Sequence, residues 1–249
     1  MLVLRAEHQA GELAELLARE GAEPVVVPLI RIVPTDDWEQ VDEAHRRLDE
    51  FEWVVFTSVN GAQLFLQRAL ERRASARARE EGALISARVA AIGPATKRAL
   101  EDAGVHVDWM PSVYTSAVLA DELPGPPGKT LLIRAEVAPT HLEEALLKRG
   151  FEPERLNIYR TEATGGIGLG DVLPTIDVVA FTSAWIVRCF AEAAGDELRS
   201  ASPLTCSIGP ATSAACRSHG IRVDVEASEH TLPGLVHALA EHLDSTGRS

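Results

Sequence analysis

The stretch AAIGPATKRALEDAG at residues 90–104 returns as CSIGPATSAACRSHG at residues 206–220. Each copy follows an apolar run and precedes an amphipathic one, so the pentapeptide IGPAT has the same surroundings both times. Identical residues in matched settings indicate an internal repeat, and a repeat constrains the whole architecture before any single element is considered. We therefore expect the chain to contain one structural unit built twice.

Further segments pair in the same order on either side of this stretch. They are MLVLRAE (1–7) with TLLIRAE (130–136), REGAEPVVVPLIR (19–31) with KRGFEPERLNIYR (148–160), WVVFTSVNGAQLF (53–65) with DVVAFTSAWIVRCF (177–190), and AGVHVDWMPSVYTSAVLADEL (103–123) with HGIRVDVEASEHTLPGLVHAL (219–239). The repeat therefore extends over nearly the whole chain.

Short apolar, β-branched runs without polar alternation predict strands that are buried on both faces, as in a parallel sheet. Amphipathic runs with helical spacing lie between them, for example Leu13, Leu16 and Leu17. Each half is predicted to run strand, helix, strand, strand, helix, strand, helix, strand, helix. This order indicates the α/β class, with two similar doubly wound parallel-sheet domains of the flavodoxin or Rossmann type. The clearest predicted strands are Leu2–Leu4, Val54–Phe56, Val89–Ile92, Leu131–Ile133 and Val178–Phe181, and glycines expected to end helices are Gly21, Gly104, Gly150 and Gly220.

Composition excludes several classes of function. The 249 residues carry a net charge of −13, which argues against binding to nucleic acid or to an anionic membrane. No apolar run approaches the roughly 20 residues that span a bilayer, and the first residues lack the layout of a secretory signal. The three cysteines form no CxxC pair and fit packing roles in a reducing compartment. We expect a cytoplasmic protein in which any anionic ligand meets a locally positive pocket.

Two glycine-containing stretches imitate nucleotide-binding motifs. GKT at 128–130 resembles the end of a P-loop, but Leu123 stands where that motif needs glycine, and a strand follows instead of a helix. GGIGLG at 165–170 has the scattered glycines of a dinucleotide fingerprint, but no helix is predicted to begin there. The histidines lack metal-ligand spacing, and no GxSxG elbow occurs. We therefore expect neither a cofactor nor a metal.

The two FTS segments and the two IGPAT loops each follow a strand and precede a helix. Parallel α/β folds bind ligands at the carboxyl ends of their strands, and the free N–H groups of helix N-termini favour anions. Four such loops in register predict a composite anion site, whereas the alternative is that Ser58, Asn60 and Ser183 only cap their helices. The candidate residues of these loops are Thr57, Ser58, Asn60, Gly93, Thr96, Thr182, Ser183, Gly209 and Thr212.

Two arginines occupy equivalent places just after the first strand of each half. Arg5 and Arg134 either face the ligand or form surface ion pairs with Glu7 and Glu136, which contribute little to stability. Both arginines are candidate substrate-binding residues.

The chain has two tyrosines, Tyr114 and Tyr159. Tyr159 lies in LNIYRTE, a segment equivalent to PLIRIVP, and both segments resemble strands that connect domains. Its phenol either faces the ligand or packs within the connector. Tyr114 and the neighbouring Thr115 are further candidates for substrate binding.

Together these residues resemble the uroporphyrinogen-III synthase family over essentially the whole chain. The ordered set VVFTSVNGAQLF, IGPATKRALEDAG, FTS, the second IGPAT, VDVEAS and HTLPGLVHAL carries the resemblance. It implies that residues 1–33 and 164–249 form one discontinuous domain and residues 36–159 a second. Two connector strands, at about 28–34 and 154–162, would carry both crossings. The repeats alone would instead suggest two contiguous halves.

The resemblance also implies an activity and the roles of particular residues. The family converts linear hydroxymethylbilane, which carries eight carboxylates, into uroporphyrinogen III with inversion of ring D and without cofactor or metal. Tyr159 matches the connector tyrosine proposed to assist departure of the hydroxyl, and a phenol is a suitable weak acid. Thr96, Ser183 and Thr212 match hydroxyls that line the substrate site. Trp185 departs from the glycine-containing turn found in FTSVNG.

The expected partners follow from the same resemblance. They are hydroxymethylbilane as substrate and, in transient contact, hydroxymethylbilane synthase, with no nucleic acid and no membrane, and the chain is expected to be a monomer. Two other readings are open. One is a non-enzymatic two-domain protein that binds a small anion, and the other is a sugar-nucleotide transferase with two Rossmann-like domains, which would need an acidic ribose partner after a glycine-rich turn.

Overall fold

The computed structural model describes residues 1–75, 84–194 and 202–247, apart from the side chains of His8 and Ser75. The chain divides into two compact units. Unit 1 consists of Met1–Arg31 and Glu162–Ser249, and unit 2 consists of Ile32–Thr161. The chain therefore passes from unit 1 into unit 2 after Arg31 and returns after Thr161.

The described elements alternate between strands and helices. In chain order they are β1 (Leu2–Val3), α1 (Glu7–Arg19), β2 (Val25–Val26), β3 (Ile30–Pro34), α2 (Trp38–Arg46), β4 (Trp53–Phe56), α3 (Val59–Ser75), β5 (Arg88–Ala91), α4 (Pro94–Asp102), α5 (Ser116–Glu122), β6 (Lys129–Ala135), α6 (His141–Lys148), β7 (Glu152–Ala163), α7 (Leu169–Val172), β8 (Val178–Phe181), α8 (Ala184–Ala194), β9 (Leu204–Ser207), α9 (Pro210–Ser218), β10 (Val225–Glu226) and α10 (Leu232–Thr246). Short 3₁₀ turns follow α2 and α7.

Each unit is built on one sheet, which is parallel apart from the edge strand β3 of unit 2. In unit 1 the strand order is β2-β1-β8-β9-β10, which is the flavodoxin-like order 2-1-3-4-5 once the strands are counted within the unit. In unit 2 the strands β7-β6-β4-β5 correspond in order to the first four strands of the unit 1 sheet. A parallel bridge between Ala90 and Trp109 lies where unit 1 has its fifth strand. Strand β3 is added beside β7 at the other edge. The predicted α/β class with two similar parallel sheets is confirmed.

The sequence halves and the folded units do not coincide. The first half supplies β1 and β2 to unit 1 but β4 and β5 to unit 2, and the second half supplies β6 and β7 to unit 2 but β8, β9 and β10 to unit 1. Each unit thus combines the opening strands of one repeat with the closing strands of the other. As a result, the first FTS and IGPAT loops belong to unit 2 and the second ones to unit 1.

The two faces of the unit 2 sheet bury separate cores, because successive residues of a strand point to opposite sides. Val54 and Phe56 of β4 pack on one face with α2, α3 and α4. Trp53 and Val55 pack on the other face with α5 and α6. Helices on both faces account for strands that are apolar at every position.

Unit 1 has its own core. Val3 of β1, Ala180 of β8 and Cys206 of β9 pack with apolar residues of α1 and α10. On the opposite face, Phe181 of β8 meets Phe190 of α8 edge to face, with ring centroids 5.2 Å apart.

The connector is a pair of strands that both units share. Strands β3 and β7 are neighbours, and the N–H of Thr35 donates to Ile158 O while the N–H of Thr164 donates to Leu29 O. The partner number falls as the residue number rises, so the two strands are antiparallel. Both unit boundaries lie inside this strand pair.

Several local features differ from the sequence-based prediction. Helix α2 was not predicted, although Asp37 caps it by accepting a hydrogen bond from Gln40 N at 3.1 Å, and an Asp followed three residues later by Gln is a helix-start signal. The one-turn helix α7 begins inside GGIGLG, where no helix was predicted. The four glycines predicted to end helices have positive φ, as predicted. No helix among the described residues is both long and apolar enough to cross a bilayer.

Candidate active site

The first FTS loop ends in a serine that caps α3. Ser58 Oγ accepts a hydrogen bond from Gly61 N at 3.0 Å, and the hydroxyl of Thr57 donates to Ile133 O at 3.0 Å. Asn60 lies half-buried in the first turn of the helix. The capping alternative for Ser58 is therefore realised, and this cap sits at the carboxyl end of β4.

The second FTS loop repeats the arrangement in unit 1. Ser183 Oγ accepts from Ile186 N at 3.3 Å and so caps α8, while Thr182 is half-buried after β8. Trp185 lies in the first turn of this helix, with the guanidinium of Arg188 4.4 Å from the centre of its ring. Among the described residues, the buried indole N–H of Trp185 has no hydrogen-bond partner.

A register shift in the unit 2 sheet determines where Tyr159 points. Strand β7 pairs Arg134 with Asn157 but Ala135 with Tyr159, so Ile158 is an extra residue in β7. An extra residue interrupts the alternation of side chains and re-aims those that follow it. Ile158 and Tyr159 are consequently both buried, at 0% and 8% exposure, and both join the core under α3.

The phenol of Tyr159 is held by the cap of α3. Its hydroxyl donates to Ser58 Oγ at 3.0 Å. Ser58 Oγ therefore receives two hydrogen bonds, one from the start of the helix and one from the phenol. The connector strand, the FTS loop and the first turn of α3 are joined at this oxygen.

A cavity of about 310 Å³ borders Tyr159 within unit 2. Its lining is polar and contains three carboxylates and one guanidinium, that of Arg160, which lies 3.3 Å from Asp36. Such a lining disfavours carboxylates and can accept hydrogen bonds from N–H groups. The lining residues are Thr35, Asp36, Asp37, Gln40, Glu136, Asn157, Tyr159 and Arg160. Asp37 and Gln40 were not predicted, because α2 and its cap were not recognised.

An aromatic ring packs against the glycine of each IGPAT loop. A Cβ placed on Gly93 would lie 3.3 Å from Tyr114 Cβ and Cγ, and one placed on Gly209 would lie 2.7 Å from His230 Cδ2. Glycine at these places lets the ring lie against the loop. His230 was not predicted as a site residue, although it aligns with Tyr114 in the repeat and the alignment would have indicated it.

The hydroxyl residues of these segments serve the fold in the structure. Thr115 caps α5 by accepting from Val118 N at 3.3 Å. Thr96 and Thr212 are each 4% exposed, one turn into α4 and α9. As placed, these two threonines are buried, because the first helical turn packs on its unit's sheet.

The two equivalent arginines have different surroundings. Arg134 is 3% exposed and donates to Pro139 O at 2.9 Å and to Glu143 Oε2 at 2.6 Å. The alternative of a surface pair with Glu136 is wrong, because the residue is buried and its acidic partner is Glu143. Arg5 is half-buried, and burial lowers the pKa of its guanidinium while Glu12 opposes the shift. Among the described residues, Arg5 Nη1 is buried without a hydrogen-bond partner.

Across the described residues, no group of three or more His, Cys, Asp or Glu side chains is placed to hold a metal ion. The chemistry that the arrangement offers is that of hydroxyls, one phenol, helix N-termini and guanidinium groups.

The comparison with protein families decides the relationship. The family model of uroporphyrinogen-III synthase HemD matches residues 11–237. The chain belongs to the uroporphyrinogen-III synthase family. It is therefore related to cyclising lyases of tetrapyrrole biosynthesis, enzymes that cyclise hydroxymethylbilane.

Curated relatives agree over the full length of the chain. A uroporphyrinogen-III synthase of Chlorobaculum parvum is 30% identical, covering 98% of each chain, and one of Synechococcus elongatus is 27% identical, covering 97% of this chain and 94% of its own. A porphyrin biosynthesis protein HemD of Ruminiclostridium josui is 27% identical over 97% of this chain, which spans 48% of that longer protein.

Solved structures share the fold. A mutant uroporphyrinogen III synthase of Thermus thermophilus superposes with a TM-score of 0.66 at 22% identity, over 98% of each chain. The enzyme of Helicobacter pylori superposes with a TM-score of 0.59 at 17% identity, over 89% of this chain and 94% of its own. Uroporphyrinogen-III synthases of low identity thus keep the two-sheet α/β architecture.

Proposed function

We propose that the chain converts hydroxymethylbilane to uroporphyrinogen III and that Tyr159 donates the proton needed by the departing hydroxyl. The observation that carries the proposal is the position of the phenol, which is buried, fixed by Ser58 and adjacent to a polar cavity. A general acid must lie within hydrogen-bonding reach of the atom that it protonates, and a fixed donor meets that condition more often than a mobile one.

The proposed chemistry balances without a cofactor. The hydroxyl of ring A leaves as water with the phenol's proton, and the electron pair of the ring nitrogen forms a protonated azafulvene that keeps its N–H. Ring D attacks through its substituted carbon to give a spiro intermediate, which fragments and recloses with ring D inverted. The proton that ring D loses at the end restores the phenol. The net change is the loss of one water.

Recognition of the substrate's carboxylates is assigned to the loops. Backbone N–H groups at the starts of α3 and α4 in unit 2, and of α8 and α9 in unit 1, are suited to anions despite the net charge of −13. The hydroxyls of Thr182 and Ser183 and the guanidinium of Arg5 are proposed to assist, whereas the hydroxyl of Thr57 already donates to Ile133 O. Holding the bilane in one folded conformation is the main catalytic effect, since the linear bilane also closes by itself to the uninverted isomer.

The remaining features of the proposal concern the molecule in the cell. We infer that the two units are the two domains of the enzyme, that it works as a monomer in the cytoplasm, and that it receives the bilane in transient contact with hydroxymethylbilane synthase. The three buried free cysteines fit a reducing compartment.

A coupled assay tests the proposed activity. Porphobilinogen and hydroxymethylbilane synthase supply the bilane, the purified chain is added, and the oxidised products are separated by isomer. We expect uroporphyrin III in excess, and uroporphyrin I alone when the chain is omitted. Isomer I alone in both samples would reject the enzyme and favour a protein that only binds a small anion.

A further inference from the structure

Ser58 stands between a helix start and the proposed acid. Its Oγ is 3.0 Å from Gly61 N and 3.0 Å from the hydroxyl of Tyr159, and it accepts a hydrogen bond from each. A serine oxygen has two lone pairs, so both are used in this state. The phenol's proton is therefore directed at Ser58, and the serine's own proton can point elsewhere.

The equivalent cap in unit 1 serves as an internal comparison. Ser183 accepts from Ile186 N at 3.3 Å, and no tyrosine is available there, because the chain's other tyrosine, Tyr114, lies against Gly93. The repeat therefore contains the same cap twice, but a phenol is attached to only one copy.

The residue three positions after the cap also differs between the copies. A Cβ on Gly61 would lie 3.1 Å from Ser58 Oγ and 3.2 Å from Ile133 Cγ2, closer than side chains ordinarily approach. The equivalent position in unit 1 is Ile186, a large residue. Glycine at 61 thus keeps clear the space in which Ser58 Oγ meets both the helix N–H and the phenol.

We propose that Ser58 is a positioning residue that couples Tyr159 to the N-terminus of α3. This inference rests on the proposed role of Tyr159 as the acid. Before the reaction, Ser58 accepts from the phenol and fixes it. On substrate binding the O–H of Tyr159 turns from Ser58 to the leaving hydroxyl, and its proton departs with that hydroxyl as water. The Ser58 hydroxyl then turns and donates a hydrogen bond to the phenolate oxygen, while the N–H of Gly61 still bonds to Ser58.

The helix start makes this coupling effective. The N-terminus of α3, a helix of 17 residues, carries the positive end of the helix dipole, equivalent to roughly half a charge. A negative charge on the phenolate is favoured there, and a hydrogen bond to a charged oxygen is about twice as strong as one between neutral groups. Ser58 therefore acts mainly after proton transfer, on kcat and not on substrate binding.

Three variants test this in steady-state turnover. We expect Ser58→Ala to lower kcat by about ten- to a hundredfold, the loss of one hydrogen bond to a charged group, with KM within about twofold. Ser58→Thr keeps a hydroxyl at the same place and should recover most of the loss. Gly61→Ala keeps the serine but crowds its oxygen, so kcat should fall although alanine is the better helix former.

A spectroscopic measurement reads the coupling without turnover. In a Tyr114→Phe background Tyr159 is the only tyrosine, and the tyrosine doublet in its Raman spectrum distinguishes a phenol that donates from one that does not. Ser58→Ala should change the doublet, whereas the matched cap variant Ser183→Ala should leave it as it was. The control also shows whether the fold tolerates the loss of one such cap.

The outcomes separate this inference from the proposed function. An unchanged doublet in Ser58→Ala, or a raised KM with normal kcat, overturns the positioning role while Tyr159 can still be the acid. Normal turnover in Tyr159→Phe overturns both. If both proposals hold, adding Ser58→Ala to Tyr159→Phe causes little further loss, because the two residues act through one proton.

Discussion

At the scale of single residues, equivalent positions of the repeat can hold the same residue in the same structural role. Asp108 Oδ2 accepts from Val89 N at 2.7 Å, and Asp224 Oδ2 accepts from Thr205 N at 2.8 Å. Each carboxylate ties the segment after an IGPAT helix to the strand before it. The same link therefore supports the loop in both units.

The two aspartates should not contribute equally to stability. The side chain of Asp224 is 15% exposed, and that carboxylate also accepts from the hydroxyl of Thr205 at 3.2 Å and pairs with Arg222 at 2.7 Å. The side chain of Asp108 is 39% exposed. We expect Asp224→Ala to cost about 2–3 kcal/mol of unfolding free energy and Asp108→Ala about 1 kcal/mol, because an unsatisfied buried donor costs more.

Urea denaturation of both variants measures this difference. The Asp→Asn variants serve as controls, since an amide oxygen still accepts the backbone N–H. A larger loss for Asp108→Ala than for Asp224→Ala would contradict the burial argument.

The sequence predicted some candidate site residues well and the surroundings of others poorly. Tyr159 and the FTS serines could be singled out because neighbouring residues alone indicate a connecting strand or the start of a helix. The direction of the Tyr159 side chain could not, because it depends on one extra residue in β7 relative to a strand distant in the sequence. The burial of Arg134 against Glu143 was missed for the same reason, as it depends on how α6 packs.

At the scale of elements, hydrogen bonds to Asp42 of α2 hold this helix against α3. Arg68 donates to both oxygens of Asp42, at 2.8 and 2.6 Å, and Arg72 donates to the backbone oxygen of the same residue at 3.1 Å. The hydrogen bond from Arg68 lowers the pKa of Asp42, and the charges of Arg68, Arg72 and His45 add to this effect, whereas burial opposes it. This helix pair carries part of the lining beside Tyr159, since Asp37 and Gln40 belong to the start of α2.

The lowered pKa gives a pH-dependent prediction. A depressed pKa stabilises the folded state above the carboxyl's unfolded pKa of about 4, and this contribution is lost as the pH falls through the folded value. Arg68→Gln should therefore cost about 1.5 kcal/mol at neutral pH, and the difference from wild type should shrink below about pH 4.

Unfolding by urea at several pH values measures the effect. Arg46→Gln is the matched control, because Arg46 pairs with Glu39 and Glu43 on an exposed surface, where such pairs contribute little. A constant difference between wild type and Arg68→Gln down to pH 2 would contradict the assignment to Asp42.

Most elements could be predicted from periodicity, and the failures have a physical reason. The buried strands and long amphipathic helices were found because burial on both faces imposes an apolar pattern. Helix α2 lies outside the repeat and has a charged sequence, so its cap was the only strong signal. Helix α7 is a single turn, too short for any periodicity.

At the scale of the whole molecule, the chain holds two cores that should unfold separately. All three cysteines, Cys189, Cys206 and Cys216, belong to unit 1. Burial raises the pKa of Cys206 to about 12 and that of Cys216 to about 11, so both thiols should be unreactive at neutral pH in the folded state. Three of the four tryptophans, Trp38, Trp53 and Trp109, belong to unit 2.

This distribution gives each unit its own probe. We expect the urea midpoint for thiol labelling, which follows unit 1, to differ from the midpoint for tryptophan fluorescence in a Trp185→Phe variant, which follows unit 2. Two cores of different composition are not expected to share one transition. Coincident midpoints and slopes for both probes would show instead that the units unfold as one.

Each unit takes strands from both halves of the chain, and this was the feature of the fold that local sequence predicted least well. The repeat alone favours two contiguous halves, and nothing in a strand's own residues tells which of two equivalent sheets it joins. Only the pairing of β1 with β8 and of β6 with β4 decides it.

The most direct test of the account is the turnover and product isomer ratio of Tyr159→Phe, measured beside Thr57→Ala, Thr96→Ala, Ser183→Ala and Thr212→Ala. Eight carboxylates are shared among many donors, so one loop hydroxyl should cost less than about tenfold, whereas a general acid contributes about 10²–10⁴-fold. We predict a loss near the low end of that range for Tyr159→Phe, larger than for any of the four loop variants. Near-normal turnover in Tyr159→Phe together with a collapse in one loop variant would contradict the account and assign the chemistry to the loops.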